Sequence, residues 1–425
     1  MVKSKQNLID VLQGRPIVIW GARMTGMGFL RFAKANALNV VSFVDSDPAF
    51  ERKTVNGIPV QKPDALREIK RSEPNLTIVV AVSIKEEEII KSLKGMNFSS
   101  ADFVLYSDYC ESFYTIDVVG TCNLVCPSCA HSINGEKYPR GIMSFENFKL
   151  VLDKIKSEVE LVTHMSLYSW GEPFLHPNLP EIIKHLHDNG IAAAVSSNLS
   201  IKSADQVRNV IQASPEYLKV SLSGYYPDTY SRTHTGGDIN LVKSNLYRVR
   251  HYIDKFGADT VVDVNYHLYN NNNQKNLHMM QELCDELGFS LSATYALVMP
   301  LERCFDHCDG IKDPQTEALD EILLVGIDEG LEITKDFRSN TCPFKDNQMN
   351  INWDLKVPVC CIVFNGKDTI VADNYLEASL TEINNNKDAA EICTKCMRHG
   401  LPAYNMGFNQ KGWKATASSK LSSDT

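Results

Sequence analysis

The stretch VVGTCNLVCPSCAHS, residues 118–132, sets Cys122, Cys126 and Cys129 on one short segment as C-x3-C-x2-C. Thiolates grouped this tightly are ligands for zinc or iron. A structural zinc is closed by four ligands, one more than this segment offers. Iron–sulfur clusters are also held by four cysteines as a rule, so three leave one iron open for a further ligand. A second group stands in the last third of the chain: Cys342, Cys360, Cys361, Cys393 and Cys396. Seventeen residues separate Cys342 from Cys360, and Cys393 and Cys396 form a single C-x2-C pair. A four-cysteine zinc ribbon would show two such tight pairs. Side chains alternate along a strand, so only one of Cys360 and Cys361 can face a shared metal. Cys304 and Cys308 are too few for a site and read as free thiols. Cys110 and Cys284 read as small buried apolar residues.

The elements that must position these thiols follow from patterning. At about 150 residues per domain, 425 residues make two or three domains. Apolar content of 44% and charged content of 22% are those of a globular protein. A net charge of −9 gives no basic footprint for nucleic acid. No apolar run approaches the roughly 20 residues that span a bilayer, and the first residues show no signal-peptide pattern. These features predict a cytoplasmic protein with no membrane or nucleic-acid partner, whose twelve cysteines serve metal or redox chemistry rather than disulfides.

Residues 1–108 read as a small Rossmann-like domain. An apolar strand, Ile17 to Trp20, runs into a glycine-marked turn, a helix pattern and a second strand, VVSFVD, ending at Asp45. That is the β-α-β order of a dinucleotide fold, with an acidic residue where a ribose would be held. Gly21 and Gly26 match the outer glycines, but Arg23 stands where the middle one would let a pyrophosphate approach the backbone. The domain is therefore either a nucleotide site or a structural or docking unit.

Residues 109–305 alternate strand and helix patterns: FYTIDVVG, LVTHMSLYS, GIAAAVSSN, YLKVSLSG and TVVDVNYHLY are strands, with LPEIIKHLHDNG among the helices between them. Ser144 is an N-cap, after which Phe148, Val151, Leu152 and Ile155 share one helical face. Such a series predicts right-handed βαβ units and a parallel sheet or partial barrel, with chemistry at the C-terminal strand ends. Residues 306–405 carry the second cysteine group, and 406–425 are polar and small and read as a disordered tail.

A three-cysteine loop directly after the first strand of a βαβ series resembles the radical S-adenosylmethionine (SAM) superfamily. WGEP, Trp170 to Pro173, resembles that family's GGEP motif, which makes Gly171, Glu172 and Pro173 SAM-binding candidates. SSN adds Ser196 and Asn198, and VSLSG adds Ser221 and Ser223, at the next two strand ends. DTYSRTHTGGDINLVKSNL is similar to the stretch that follows in the family. The resemblance implies a partial (β/α)6 barrel and a 4Fe–4S cluster on Cys122, Cys126 and Cys129. Its open iron would chelate SAM, and an electron from the cluster would release a 5′-deoxyadenosyl radical. An external reductant such as flavodoxin or ferredoxin is implied. Ser128 departs from the pattern, because the family places an aromatic residue there against the adenine. His131 is either its replacement or a solvent-facing histidine, and the second is favoured.

The second cysteine group resembles the shortened SPASM domain called twitch, a small β-hairpin and helix unit. The resemblance implies an auxiliary 4Fe–4S cluster on Cys342, Cys360, Cys393 and Cys396, with INWDLKVPVCC as the hairpin and Asp354 and Leu355 at its turn. A cluster with four protein ligands has no open iron, but it can pass one electron. That suits hydrogen abstraction followed by oxidation (dehydrogenation) or by epimerisation. The Rossmann-like domain favours a small polar substrate: a carbohydrate, an aminocyclitol or a sugar-nucleotide-type alcohol. The alternatives are a SPASM-type peptide maturase and a non-catalytic iron–sulfur protein. Arg232 and His234, in SRTHTGG after the fourth strand, are the catalytic candidates, and Glu302 and Arg303 are placed where they could reach the cavity.

Overall fold

The computed structural model describes residues 2–51, 53–134, 140–364 and 366–423. The N-terminal unit is a six-stranded sheet of β1 (Pro16–Trp20), β2 (Asn39–Val44), β3 (Thr54–Val55), β4 (Ile58–Gln61), β5 (Thr77–Val80) and β6 (Phe103–Leu105). Their order is β3-β4-β2-β1-β5-β6, and only the β3–β4 pair is antiparallel. All four residues of β5 and the last four of β1 are buried, as in parallel strands covered on both faces.

The second sheet holds β7 (Phe113–Ile116), β8 (His164–Ser166), β9 (Ala192–Ser197), β10 (Tyr217–Leu222), β11 (Val261–Leu268) and β12 (Ser290–Tyr295). They lie side by side in chain order and every pair is parallel, the six-stranded partial barrel expected from the sequence. Helices separate them. Ser144 caps Phe145–Glu158 by accepting the Asn147 N–H, and Phe148, Val151, Leu152 and Ile155 form its buried face. Ser203 caps Ala204–Gln212 in the same way through Gln206.

Burial along β10 locates the cavity. Leu218, Val220 and Leu222 are fully buried under the helices, whereas the inward Lys219 and Ser221 are partly open and Tyr217 below them is closed. β11 repeats the pattern, with Asp263 closed and Asn265 and His267 partly open. The interior is therefore open at its C-terminal end and sealed at the other.

The seal is the N-terminal domain. Its helix Met24–Ala35 packs against β8 and β9, and Thr25, Met27, Phe29, Leu30 and Phe32 are all buried. Gly28 makes the approach possible, since a Cβ there would lie 2.6 Å from Cβ of His164. Arg23 enters the barrel from the start of this helix. Its Nε donates to Asp263 (3.2 Å), and the same guanidinium donates to Asp47 (2.5 Å) and Ser292 (2.9 Å). Tyr217 and Ser292 complete the shell of Asp263 at 2.5 and 2.6 Å. Asp45 accepts the Ala22 and Asp47 N–H groups, so its carboxylate holds the glycine turn together.

The C-terminal region returns to the barrel. β13 (Gln348–Ile351) adds a seventh parallel strand beside β7, while β14 (Val357–Pro358) pairs antiparallel with β15 (Ile370–Ala372). The turn between β13 and β14 falls where expected: Asn352 N–H donates to Lys356 O, and Leu355 has φ of 70°.

The expectation of a disordered tail is corrected. Residues Gln410–Ser423 form a helix, and Trp413 is 1% exposed, stacked at 5.3 Å on Tyr295, with its Nε1 donating to Phe408 O. Trp413, Ala417 and Leu421 recur every fourth position and join the C-terminal core. This sparse i, i+4 stripe was hidden by the small polar residues around it. Residues 424 and 425 lie outside the described residues. Trp413→Ala should lower stability by about 3–5 kcal/mol, the usual effect of emptying a buried tryptophan site. Urea unfolding measures this, and an unchanged midpoint would mean the helix contributes nothing to the fold. Among the described residues, no helix is long and apolar enough to cross a membrane.

Candidate active site

The cysteine loop leaves the C-terminal end of β7 and is tied to four other elements. Val125 N–H donates to Thr235 O (3.0 Å), and Asn123 Nδ2 donates to Ser200 O (2.8 Å). An Arg303 guanidinium nitrogen donates to Pro127 O at 2.8 Å, between the second and third cysteines. Tyr269, just past β11, donates to Ser128 Oγ at 3.3 Å. Cys122 Sγ accepts the Leu124 N–H (3.4 Å) and Asn198 Nδ2 (3.7 Å), the polarity wanted around a thiolate. Burial raises the free thiols, Cys122 to about 12 and Cys129 to about 11, with Cys126 higher still. Metal binding at this loop must therefore release protons.

The WGEP turn is rigid. A Cβ on Gly171 would stand 1.5 Å from Val119 O, so no larger residue fits the approach to β7. The buried Asp117 carboxylate accepts the N–H groups of Ser169, Trp170 and Gly171 at 3.2, 3.3 and 3.4 Å. Glu172 accepts from Asn198 N at 2.7 Å and Phe174 N at 3.0 Å, linking two strand ends, and Pro173 opens the turn that follows. Burial pushes both carboxyls up to about 7 against these hydrogen bonds.

Ser196 and Ser221 meet across the cavity wall at 3.5 Å. Ser223 is deeper, bonded to His234 Nδ1 at 2.9 Å and to Thr233. His234 is buried and stacked on Tyr230 at 4.7 Å, and burial lowers its pKa to about 4. Arg232 is not brought to this group. It is exposed on the helix Pro227–Thr233, with no hydrogen bond or ion pair among the described residues. His131 is buried rather than solvent-facing, its Nε2 lying 3.0 Å from Trp170 O. Glu302 accepts the Phe364 N–H at 2.9 Å.

The second cysteine set forms a separate cavity. Cys342, Cys360, Cys393 and Cys396 line one pocket together with apolar residues such as Leu301, Phe344 and Ile362. Cys393 and Cys396 come from the helix Glu391–His399, Cys342 from the turn before Pro343, and Cys360 from just after β14. Cys361 is absent from that lining and sits within electrostatic reach of Lys219 and Tyr168 in the barrel. Among the described residues, no three His, Cys, Asp or Glu converge on a single metal-ion position.

The two sites touch. Trp170 Nε1 donates to Val363 O at 3.1 Å, and its ring packs edge-on against Phe364, which also meets His131. Asp117, Lys219, His267 and Tyr269 escaped the sequence reading. For Lys219 the signal was present, since it lies two positions before Ser221 and so faces the same way.

No protein-family model matches the chain. Its first curated relative, described as "Probable GTP 3',8-cyclase" of Methanococcus maripaludis, is 27% identical over 133 residues, 31% of this chain and 43% of that protein. A 7,8-dihydro-6-hydroxymethylpterin dimethyltransferase of Methanocaldococcus jannaschii is 27% identical over 151 residues, 35% of this chain and 28% of its own. The match thus spans less than half the length of either relative. Among solved structures, Streptococcus suis SuiB bound to S-adenosylmethionine superposes with a TM-score of 0.45 at 14% identity, covering 70% of this chain and 68% of that one. Likeness at that level assigns no function. A cysteine triad after the first strand of a parallel partial barrel, followed by polar residues at successive strand ends, defines a cluster-dependent α/β class. With the curated relatives, it indicates a radical SAM superfamily enzyme.

Proposed function

We propose that Cys122, Cys126 and Cys129 hold a 4Fe–4S cluster and that the barrel cavity oxidises or epimerises a small polar, carbohydrate-like substrate. Cys342, Cys360, Cys393 and Cys396 would hold a second cluster, which when bound would supply a one-electron acceptor or donor. The carrying observation is the pairing of two cysteine sets, one at the cavity mouth and one around an apolar pocket, joined through Trp170, Val363 and Phe364. Bound together, the first cluster and SAM supply a 5′-deoxyadenosyl radical.

The chain's own residues prepare the site for this. Asp117 and Glu172 fix the WGEP turn, whose Gly171 and Pro173 leave backbone groups beside the cysteine loop. Ser196, Asn198 and Ser221 present hydroxyl and amide groups along the wall. Tyr269 brings a ring beside Ser128, which can face the adenine in place of the missing aromatic. His234 orients Ser223 rather than titrating, and the N-terminal domain excludes water from below. A flavodoxin or ferredoxin would deliver the electron.

The closed floor and polar walls favour a small molecule over an extended peptide, and the relatives named for GTP and for a pterin agree in substrate size. Anaerobically reconstituted protein with SAM and reductant should form 5′-deoxyadenosine when given the right sugar, aminocyclitol or sugar nucleotide. The product should be lighter by one H2, or, for epimerisation, unchanged in mass when formed in H2O and heavier by one deuterium-for-hydrogen exchange when formed in D2O. Turnover with a precursor peptide alone would overturn the substrate class.

A further inference from the structure

Lys219 is a cation inside the barrel whose charge is not used. It faces the cavity from the middle of β10, in register with Ser196 on β9 and Asp263 on β11. Its ammonium lies 6.0 Å from the centre of the Tyr168 ring. It makes no ion pair or hydrogen bond among the described residues. Asp263 is the carboxylate that acts on it, and Asp263 is already saturated. One oxygen takes the Ser292 hydroxyl, and the other takes Tyr217 and Arg23. Arg23 itself is paired with Asp47 and Asp263 on the floor below. Desolvation disfavours the charge on Lys219 and Arg23 adds repulsion, with Asp263 and Cys361 opposing.

His267 stands one inward position beyond Asn265 on β11, near enough to feel both Lys219 and His234. Its Nε2 is buried with no hydrogen-bond partner among the described residues. A buried donor left unmade costs about 1–3 kcal/mol, and an unpaired buried cation costs more. A partly open lysine and a buried imidazole nitrogen on one wall, within electrostatic reach of each other and without hydrogen-bond partners among the described residues, are complementary to one ligand carrying negative charge and acceptor oxygens.

We propose that Lys219 and His267 form an anion subsite on the cavity wall, which receives a carboxylate or phosphate group. The inference rests on the barrel cavity being the substrate site, and it deepens that reading: the small polar substrate is an acid or a phosphate ester, with its anionic group at the level of Ser196 and Ser221. The methionine carboxylate of SAM is the other source of the same chemistry.

The test uses reconstituted holoprotein and the variants Lys219→Met and Lys219→Arg, with inorganic phosphate as probe. Melting of the SAM-saturated protein is followed as phosphate rises against sodium chloride of equal ionic strength, and SAM affinity is measured by equilibrium dialysis without reductant. The native protein and Lys219→Arg should melt about 2 °C or more higher in phosphate than in chloride. Lys219→Met should lose that shift while binding SAM within about twofold of native, which places the anion on the substrate. A tenfold loss of SAM affinity in Lys219→Met, with no phosphate shift in the native protein, would assign the subsite to SAM instead. If the native protein ignores phosphate and Lys219→Met binds SAM normally, there is no anion subsite. None of these readings needs turnover, so the subsite can fail while SAM cleavage stands, and the reverse.

Discussion

Replacing Cys122, Cys126 and Cys129 together by alanine is expected to abolish SAM cleavage and to reduce bound iron from about eight to about four atoms per chain. The first effect follows from where the loop sits. It caps the C-terminal end of β7 and is held by Arg303, Thr235, Ser200 and Tyr269, so the loop itself survives removal of three sulfur atoms. What is lost is the set of ligands that leaves one iron free. The second effect follows from the separation of the two cysteine sets, because the apolar cavity of Cys342, Cys360, Cys393 and Cys396 contains none of the three. Iron and sulfide analysis of the reconstituted variant, with 5′-deoxyadenosine quantified after reduction, reads both. Full iron retention would refute the cluster assignment, and zinc in the native C-terminal site would refute the second cluster.

Much of this site was legible in sequence because its signals are local. Metal-ligand spacing is carried by the chain itself, so Cys122-x3-Cys126-x2-Cys129 and Cys393-x2-Cys396 stand out as candidates before any fold is known. Alternation along a strand allows only one of Cys360 and Cys361 to face a shared pocket, and Cys360 is the one that lines it. The order of strands and helices was likewise readable from periodicity, down to the Ser144 cap.

What escaped depends on contacts distant in sequence. Arg23 was visible as an intruder in a glycine motif, but its bond to Asp263 spans 240 positions. No local pattern says that a Rossmann-like helix closes the bottom of a barrel. Removing residues 1–108 would therefore uncover Phe113, Tyr217 and Ala194, which share that domain's core, rather than detach a docking module. His131 looked like a surface histidine until Trp170 and Phe364 were seen to cover it. β13 read as half of a hairpin, yet its ladder partner is β7, far earlier in the chain. Arg232 failed for the opposite reason: a motif neighbour of His234 points elsewhere because a helix turns residues about 100° apart.

A folded protein lacking Cys393 and Cys396 is expected to keep cleaving SAM in the presence of substrate while forming little product. On the proposed reading the radical would arise at the triad, and a second cluster would act only after hydrogen has been taken from the substrate. Losing it should leave initiation intact and strand the substrate radical without an electron acceptor. The geometry lets the two steps be separated, since the sites communicate through Trp170, Val363 and Phe364 and share no ligand. Folding must be checked first, because metal ligation contributes folding energy and an empty cavity can open. Cys396 is buried, whereas Cys393 is partly exposed, so the Cys393→Ser single variant is the gentler control. Circular dichroism and gel filtration should match the native protein, and the ratio of 5′-deoxyadenosine to product should rise about tenfold or more, equivalent to about 1.4 kcal/mol in partitioning. The expected outcome fails if a native-like variant gives product and 5′-deoxyadenosine in the native ratio at the native rate. In that case the second cluster holds the β14–β15 region and the helix Glu391–His399 in place, and the electron leaves the substrate by another route.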